Sequence, residues 1–158
     1  MPYDRDFFLI VEDRAAGAIE EAVRDLAMIG LDRIGGFFGG EIVDAWAAAE
    51  GALEGMPQIG VAELAERSSV RGFTVVDVRN AAEWEEGHLP GARHIPLGYL
   101  LDRLDEVPQD RPTVVHCQGG GRSSIAVSLL QARGWRNVIN LNAGFTGWLA
   151  NGLPVDRE

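Results

Sequence analysis

The stretch Thr113-Val114-Val115-His116-Cys117-Gln118-Gly119-Gly120-Gly121-Arg122-Ser123-Ser124 sets the reading of the whole chain. Thr113 to His116 is a short β-branched run, the composition of a strand. It ends at a cysteine and passes through three glycines and an arginine. An apolar helical pattern then runs from Ser123 to Arg133, with Gly134 just beyond as a left-handed stop. A strand entering a helix through a glycine loop is one βα unit, and the same rhythm extends in both directions.

Upstream and downstream lie further strand patterns at Phe73 to Val78, Arg93 to Ile95 and Val138 to Leu141, with Ile59 opening another. Helical patterns fall at Val61 to Arg67, Ala81 to Glu86, Leu97 to Leu104 and Phe145 to Asn151. Strands alternating with helices imply a parallel sheet covered on both faces. Residues 1–56 repeat the rhythm: strand Phe7 to Val11, helix Ala15 to Ile29 with the stripe Ile19, Val23 and Leu26, strand Arg33 to Phe37, helix Glu41 to Glu50. A shift of 104 lays Leu9-Ile10-Val11 on Thr113-Val114-Val115, Gly30 on Gly134 and Gly40 on Gly144, with Trp46 matching Trp148 after a two-residue insertion. The register puts Asp13 at the place of Cys117 and Ala18 at that of Arg122. The expected organisation is therefore a degenerate βαβα half module over 1–56, then a complete α/β domain over 57–158, joined near Gly51, Gly55 and Pro57.

The chain has 158 residues with 46% hydrophobic and 24% charged, the balance of a folded domain with a core of its own. Its net charge is −10, which opposes phosphate neutralisation and so nucleic-acid binding. All 14 basic residues are arginine, so lysine Schiff-base chemistry and a P-loop lysine are excluded. The single cysteine excludes an internal disulfide and a cysteine zinc cluster, and fits a reducing compartment. No signal peptide or membrane span is read at the charged start, and the expectation is a cytoplasmic protein.

Cys117 is the candidate nucleophile. Glycines at 119, 120 and 121 let backbone N–H groups turn inward without a Cβ clash. The helix start near Ser123 adds its positive end, and Arg122 a fixed cation. Such surroundings favour thiolate at neutral pH. Gln118, Gly119, Gly120, Gly121 and Ser123 are the candidate donor-binding residues, and no metal site or cofactor is read.

These residues belong to a longer series: Val76-Asp77-Val78-Arg79, then Glu83 to Pro96 with Gly87-His88-Leu89-Pro90-Gly91, then the Cys117 loop, then Gly144-Phe145-Thr146-Gly147-Trp148 and Gly152-Leu153-Pro154-Val155. In that order, over about residues 57–156, the chain resembles a rhodanese (sulfurtransferase) domain. The resemblance implies a five-stranded parallel sheet flanked by helices, and a persulfide carried on Cys117 between donor and acceptor. It implies that Asp77 and Arg79 support the loop and that His88 is structural rather than a base. His116 also reads as structural, and His94 has no distinctive context. Four residues separate Cys117 from Arg122. Related phosphatases and arsenate reductases carry one more, so the spacing fits one sulfur atom better than a tetrahedral oxyanion. The uncharged Gln118-Gly-Gly-Gly run suits a low-molecular-weight or protein persulfide better than thiosulfate. The alternatives are a non-catalytic interaction module and, less favoured, a phosphatase or arsenate reductase. Degenerate modules of this kind precede active ones in fusions with an N-terminal metallo-β-lactamase-like domain, so the chain is expected to be the C-terminal part of one. Its half module would contact that domain, the Cys117 domain or a second copy of the chain.

Overall fold

The computed structural model describes residues 5–11, 17–68 and 72–157. The chain forms two compact units, Met1–Glu54 and Gly55–Glu158.

The first unit runs β1 (Phe7–Ile10), α1 (Ala18–Met28), β2 (Ile34–Phe38) and α2 (Glu41–Glu50). β1 and β2 pair in parallel, with an irregularity after Phe7↔Ile34. None of the described residues of this unit is buried. The expected stripe on α1 is only partly covered: Ile19 and Leu26 are half-buried, and Val23 is exposed. The first two residues of the expected helix, Ala15 and Ala16, lie outside the described residues, as does Asp13. In chain order Val11 directly follows β1, as Cys117 directly follows the strand Thr113–His116 of the second unit.

The second unit runs β3 (Gln58–Ile59), α3 (Val61–Ser68), β4 (Thr74–Asp77), α4 (Ala81–Glu86), β5 (Arg93–His94), β6 (Thr113–His116), α5 (Gly121–Ala132), β7 (Val138–Leu141) and α6 (Gly144–Ala150). Its five strands are all parallel in the order β3-β7-β6-β4-β5. Parallel strands need both faces covered, and alternate residues of β6 divide between two cores. Val115 packs with Ala126, Val127 and Leu130 of α5, and Val114 with Leu64 of α3 and Phe145 and Trp148 of α6.

The stretch expected as a helix over Leu97 to Leu104 instead forms two 3₁₀ turns, Leu97–Asp102 and Leu104–Glu106. Gly98 weakens α-helix formation. Tyr99 N–H reaches back three residues to the Pro96 carbonyl at 2.8 Å, which is the tighter 3₁₀ winding. This path seats Leu100 in the core with no exposure. Among the described residues, no helix is long and apolar enough to cross a membrane.

Candidate active site

Cys117 follows the last residue of the central strand β6. In open parallel sheets, ligand sites form outside the carboxyl ends of the strands. The loop is held from both sides. Gly120 takes φ 108°, which a side chain would strain, and so starts α5 two residues before the expected Ser123. Arg122 and Ser123 therefore lie in the first turn of α5, where N–H groups have no partner within the helix. On the other side, the first amides of α6 hold the loop's carbonyls: Phe145 N–H donates to Cys117 O at 2.8 Å and Thr146 N–H to Gln118 O at 2.9 Å. Drawing the Gln118 carbonyl toward α6 turns the opposed Gly119 N–H toward the sulfur.

The sulfur accepts from Gly120 N–H at 3.1 Å and lies 3.5 Å from the Ser123 hydroxyl. Burial resists ionisation of the thiol. The Ser123 hydroxyl and the backbone N–H groups of Ser123, Gly120 and Gly119 outweigh it, and the Cys117 pKa lies below its ordinary value. Gln118 faces elsewhere: its Nε2 donates to Thr146 Oγ1 at 3.0 Å, which ties the loop to α6. Gly121 is the first residue of α5, and Gly119 leaves open space where a side chain would stand.

Asp77 and Arg79 form a buried pair behind the loop. Arg79 Nη2 donates to Asp77 Oδ2 at 2.7 Å, and both side chains are buried. The same Nη2 reaches Gly87 O at 2.7 Å, Nη1 reaches Gln118 Oε1 at 3.4 Å, and the guanidinium lies 4.0 Å from the centroid of the Phe145 ring. The pair thus contacts the loop residue Gln118 without reaching the sulfur.

Arg122 is differently engaged than the sequence suggests. Its Nη1 and Nη2 donate to Glu83 Oε2 and Oε1, both at 2.6 Å. Glu83 is the residue the sequence reading left out of the site. Asn80-Ala-Ala-Glu83 is a legible capping box, and Glu83 N–H donates to Asn80 Oδ1 at 2.9 Å. What the spacing hides is that the same carboxylate meets an arginine 39 residues later. The hydrogen bonds from Arg122 lead in holding the Glu83 carboxyl far down, at about 2. Gly144, quoted only as part of the motif series, also belongs here. A Cβ on Gly144 would run into Cys117 O and lie 2.9 Å from Gln118 O, and its φ is +50°.

The histidines sit around this frame. His116 is fully buried beneath the loop, and burial leads in lowering its pKa. Its Nε2 lies 3.5 Å from Asp77 Oδ2 but makes no hydrogen bond. His88 stacks on Trp84 at 3.6 Å between ring centroids and contacts Trp84 O through Nδ1 at 3.2 Å. His94, without context in the sequence, stacks on the same Trp84 at 4.7 Å and meets Arg79 O through Nε2 at 3.0 Å.

The family pattern of the Rhodanese-like domain matches residues 60–151. A protein named sulfurtransferase from Allochromatium vinosum is 37% identical over 51% of this chain and 76% of its own length. An HTH-type transcriptional regulator of Mycobacterium tuberculosis is 39% identical over 73% of this chain, which spans about half of the regulator, 52%. A solved rhodanese-related protein from Thermoplasma volcanium superposes with a TM-score of 0.60 at 30% identity, covering 65% of this chain and 99% of that one. The chain belongs to the family of rhodanese-like domains.

Proposed function

We propose that the protein is a sulfurtransferase that carries a sulfane sulfur as a persulfide on Cys117. The observation that carries this reading is the lone thiol set against Gly120 N–H and the Ser123 hydroxyl, with its pKa lowered in spite of burial. A thiolate is the competent nucleophile. It attacks the outer sulfur of a donor R–S–SH or of thiosulfate. The donor's S–S bond breaks, its electron pair leaves on RS⁻ or sulfite, and Cys117 keeps the sulfur. The inward N–H groups that favour thiolate also suit the charged persulfide. A thiol, sulfite or cyanide then removes the sulfur and restores the thiolate. Gly119, Gly120, Gly121 and Ser123 shape the donor site, with Gln118 contributing through its backbone, Arg122 orients the donor, and Asp77 and Arg79 brace the loop.

The test is intact mass after incubation with glutathione persulfide or thiosulfate. The expected result is a gain of one sulfur atom, absent in Cys117→Ser. No gain with either donor overturns the reading in favour of a non-catalytic module.

A further inference from the structure

Arg122, an arginine whose charge acts on Cys117, is paired with a carboxylate before any donor arrives. Both terminal nitrogens of Arg122 are taken by the two oxygens of Glu83 at 2.6 Å. The carboxylate is itself fixed, because Asn80 N–H donates to Glu83 Oε2 at 3.2 Å and Glu83 N–H donates back to Asn80 Oδ1. Glu83 is therefore built into the start of α4 and not free to swing aside. The side chains of the pair are only 24% and 38% exposed, so water does not fully screen the carboxylate from an incoming ligand. Other groups near the sulfur are neutral: Gln118, the glycines and Ser123. Arg79, the next arginine, is spent on Asp77.

We infer that Glu83 is a specificity-determining positioning residue that selects against dianionic sulfur donors. The inference rests on the sulfurtransferase reading and adds what class of donor the site prefers. A thiosulfate ion brings two negative charges to a site whose arginines, Arg122 and Arg79, are each already matched by a carboxylate. A donor with one charge or none at the reacting end, such as an organic persulfide or a thiosulfonate anion, meets no such penalty. In either case Cys117 thiolate takes the outer sulfur, and the bond pair departs on sulfite, sulfinate or thiolate.

Two donors separate charge from chemistry. Thiosulfate is a dianion that releases sulfite, and methanethiosulfonate is a monoanion that releases methanesulfinate. Cyanide serves as acceptor for both, and thiocyanate is the product read. Glu83→Gln removes the charge, while glutamine at this position retains the capping hydrogen bond. The expected result is a fall in the thiosulfate KM and a rise of about tenfold or more in the ratio of kcat/KM for thiosulfate over methanethiosulfonate. That rise should shrink as salt is added, because it is Coulombic. Glu83→Asp, which keeps the charge, should stay near wild type in this ratio. An unchanged ratio in a folded Glu83→Gln protein overturns the inference, as does a change that ignores salt. Should Glu83→Gln fail to fold, a wild-type preference for thiosulfate over methanethiosulfonate overturns it equally. Failure of the underlying reading looks different: wild type then gains no sulfur on Cys117 from either donor.

Discussion

Burial alone would keep the Cys117 thiol protonated, and the groups that reverse this are few. The Ser123 hydroxyl, 3.5 Å from the sulfur, leads among them, ahead of the backbone N–H groups of Ser123, Gly120 and Gly119. Because the folded loop favours the anion, alkylation of Cys117 should rise with pH through a midpoint below that of an ordinary thiol. Ser123→Ala should move the midpoint upward and slow alkylation at neutral pH severalfold, while circular dichroism stays native. A profile that does not move assigns the thiolate to the backbone amides alone. The buried ions behind the loop differ in kind. Arg79 and Asp77 are 1% and 0% exposed, so removing either strands its partner's charge in the core. Breaking one side of such a pair typically costs about 3–5 kcal/mol. Arg79→Ala should lower the urea midpoint accordingly, and it also removes the contacts to Gln118 and Gly87. A midpoint shift far smaller than that would mean water reaches Asp77 in the variant.

The first turn of α6 clamps the Cys117 loop by its carbonyls, and only glycine fits at its start. Gly144→Ala places a Cβ against Cys117 O at a positive φ, so the loop must open. We expect sulfur uptake to fall at least a hundredfold with the sheet retained, measured by intact mass and circular dichroism. The pairing of α4 with α5 through Glu83 and Arg122 has its own signature. The folded Glu83 carboxyl sits at about 2 against 4.5 ordinarily, led by the hydrogen bonds from Arg122. Its contribution is thus whole above pH 4.5 and drains away as pH falls toward 2. After solvent screening it is worth on the order of 1 kcal/mol. Glu83→Gln should flatten that part of the acid-stability curve, and an unaltered curve would mean the ion pair adds nothing to folding. These elements also mark how far sequence reading carries. The strand Thr113 to His116, the glycine turn and the helix after it follow from local chemistry. The place of Asp77 and Arg79 beside the loop is implied by the family resemblance and not by their spacing. The pairing of Glu83 with Arg122, the crowding at Gly144 and the stacking of His94 on Trp84 depend on which strands become neighbours. No local pattern encodes that. The two 3₁₀ turns are not legible in the sequence, because the apolar spacing of Leu97, Leu100, Leu101 and Leu104 also fits an α-helix.

The two units differ most in what they bury. The second closes two cores about a five-stranded sheet, with Val76, Val114, Val115, Leu130 and Leu141 fully shielded. Among its described residues the first has two strands and two helices, and Phe8, Ile10, Phe37 and Trp46 are each more than half exposed. A parallel sheet of two strands leaves both edges unpaired and is at best marginal alone. The order β1-α1-β2-α2 repeats that of β6-α5-β7-α6, with Val11 directly after β1 as Cys117 is directly after β6. We read the first unit as half of a module whose remaining strands come from elsewhere. Two fragments test this. Residues 55–158 carry both cores and every group named at the site, so they should unfold cooperatively and load sulfur on Cys117 at a rate within a few-fold of the full chain. Residues 1–54 should show no cooperative melt and should self-associate through their apolar faces, as read by light scattering. Their charge of −8 within 1–56 opposes that association, so it should strengthen with salt. A first fragment that melts cooperatively as a monomer refutes the half-module reading. A second fragment that is unfolded moves the division of the chain to another place.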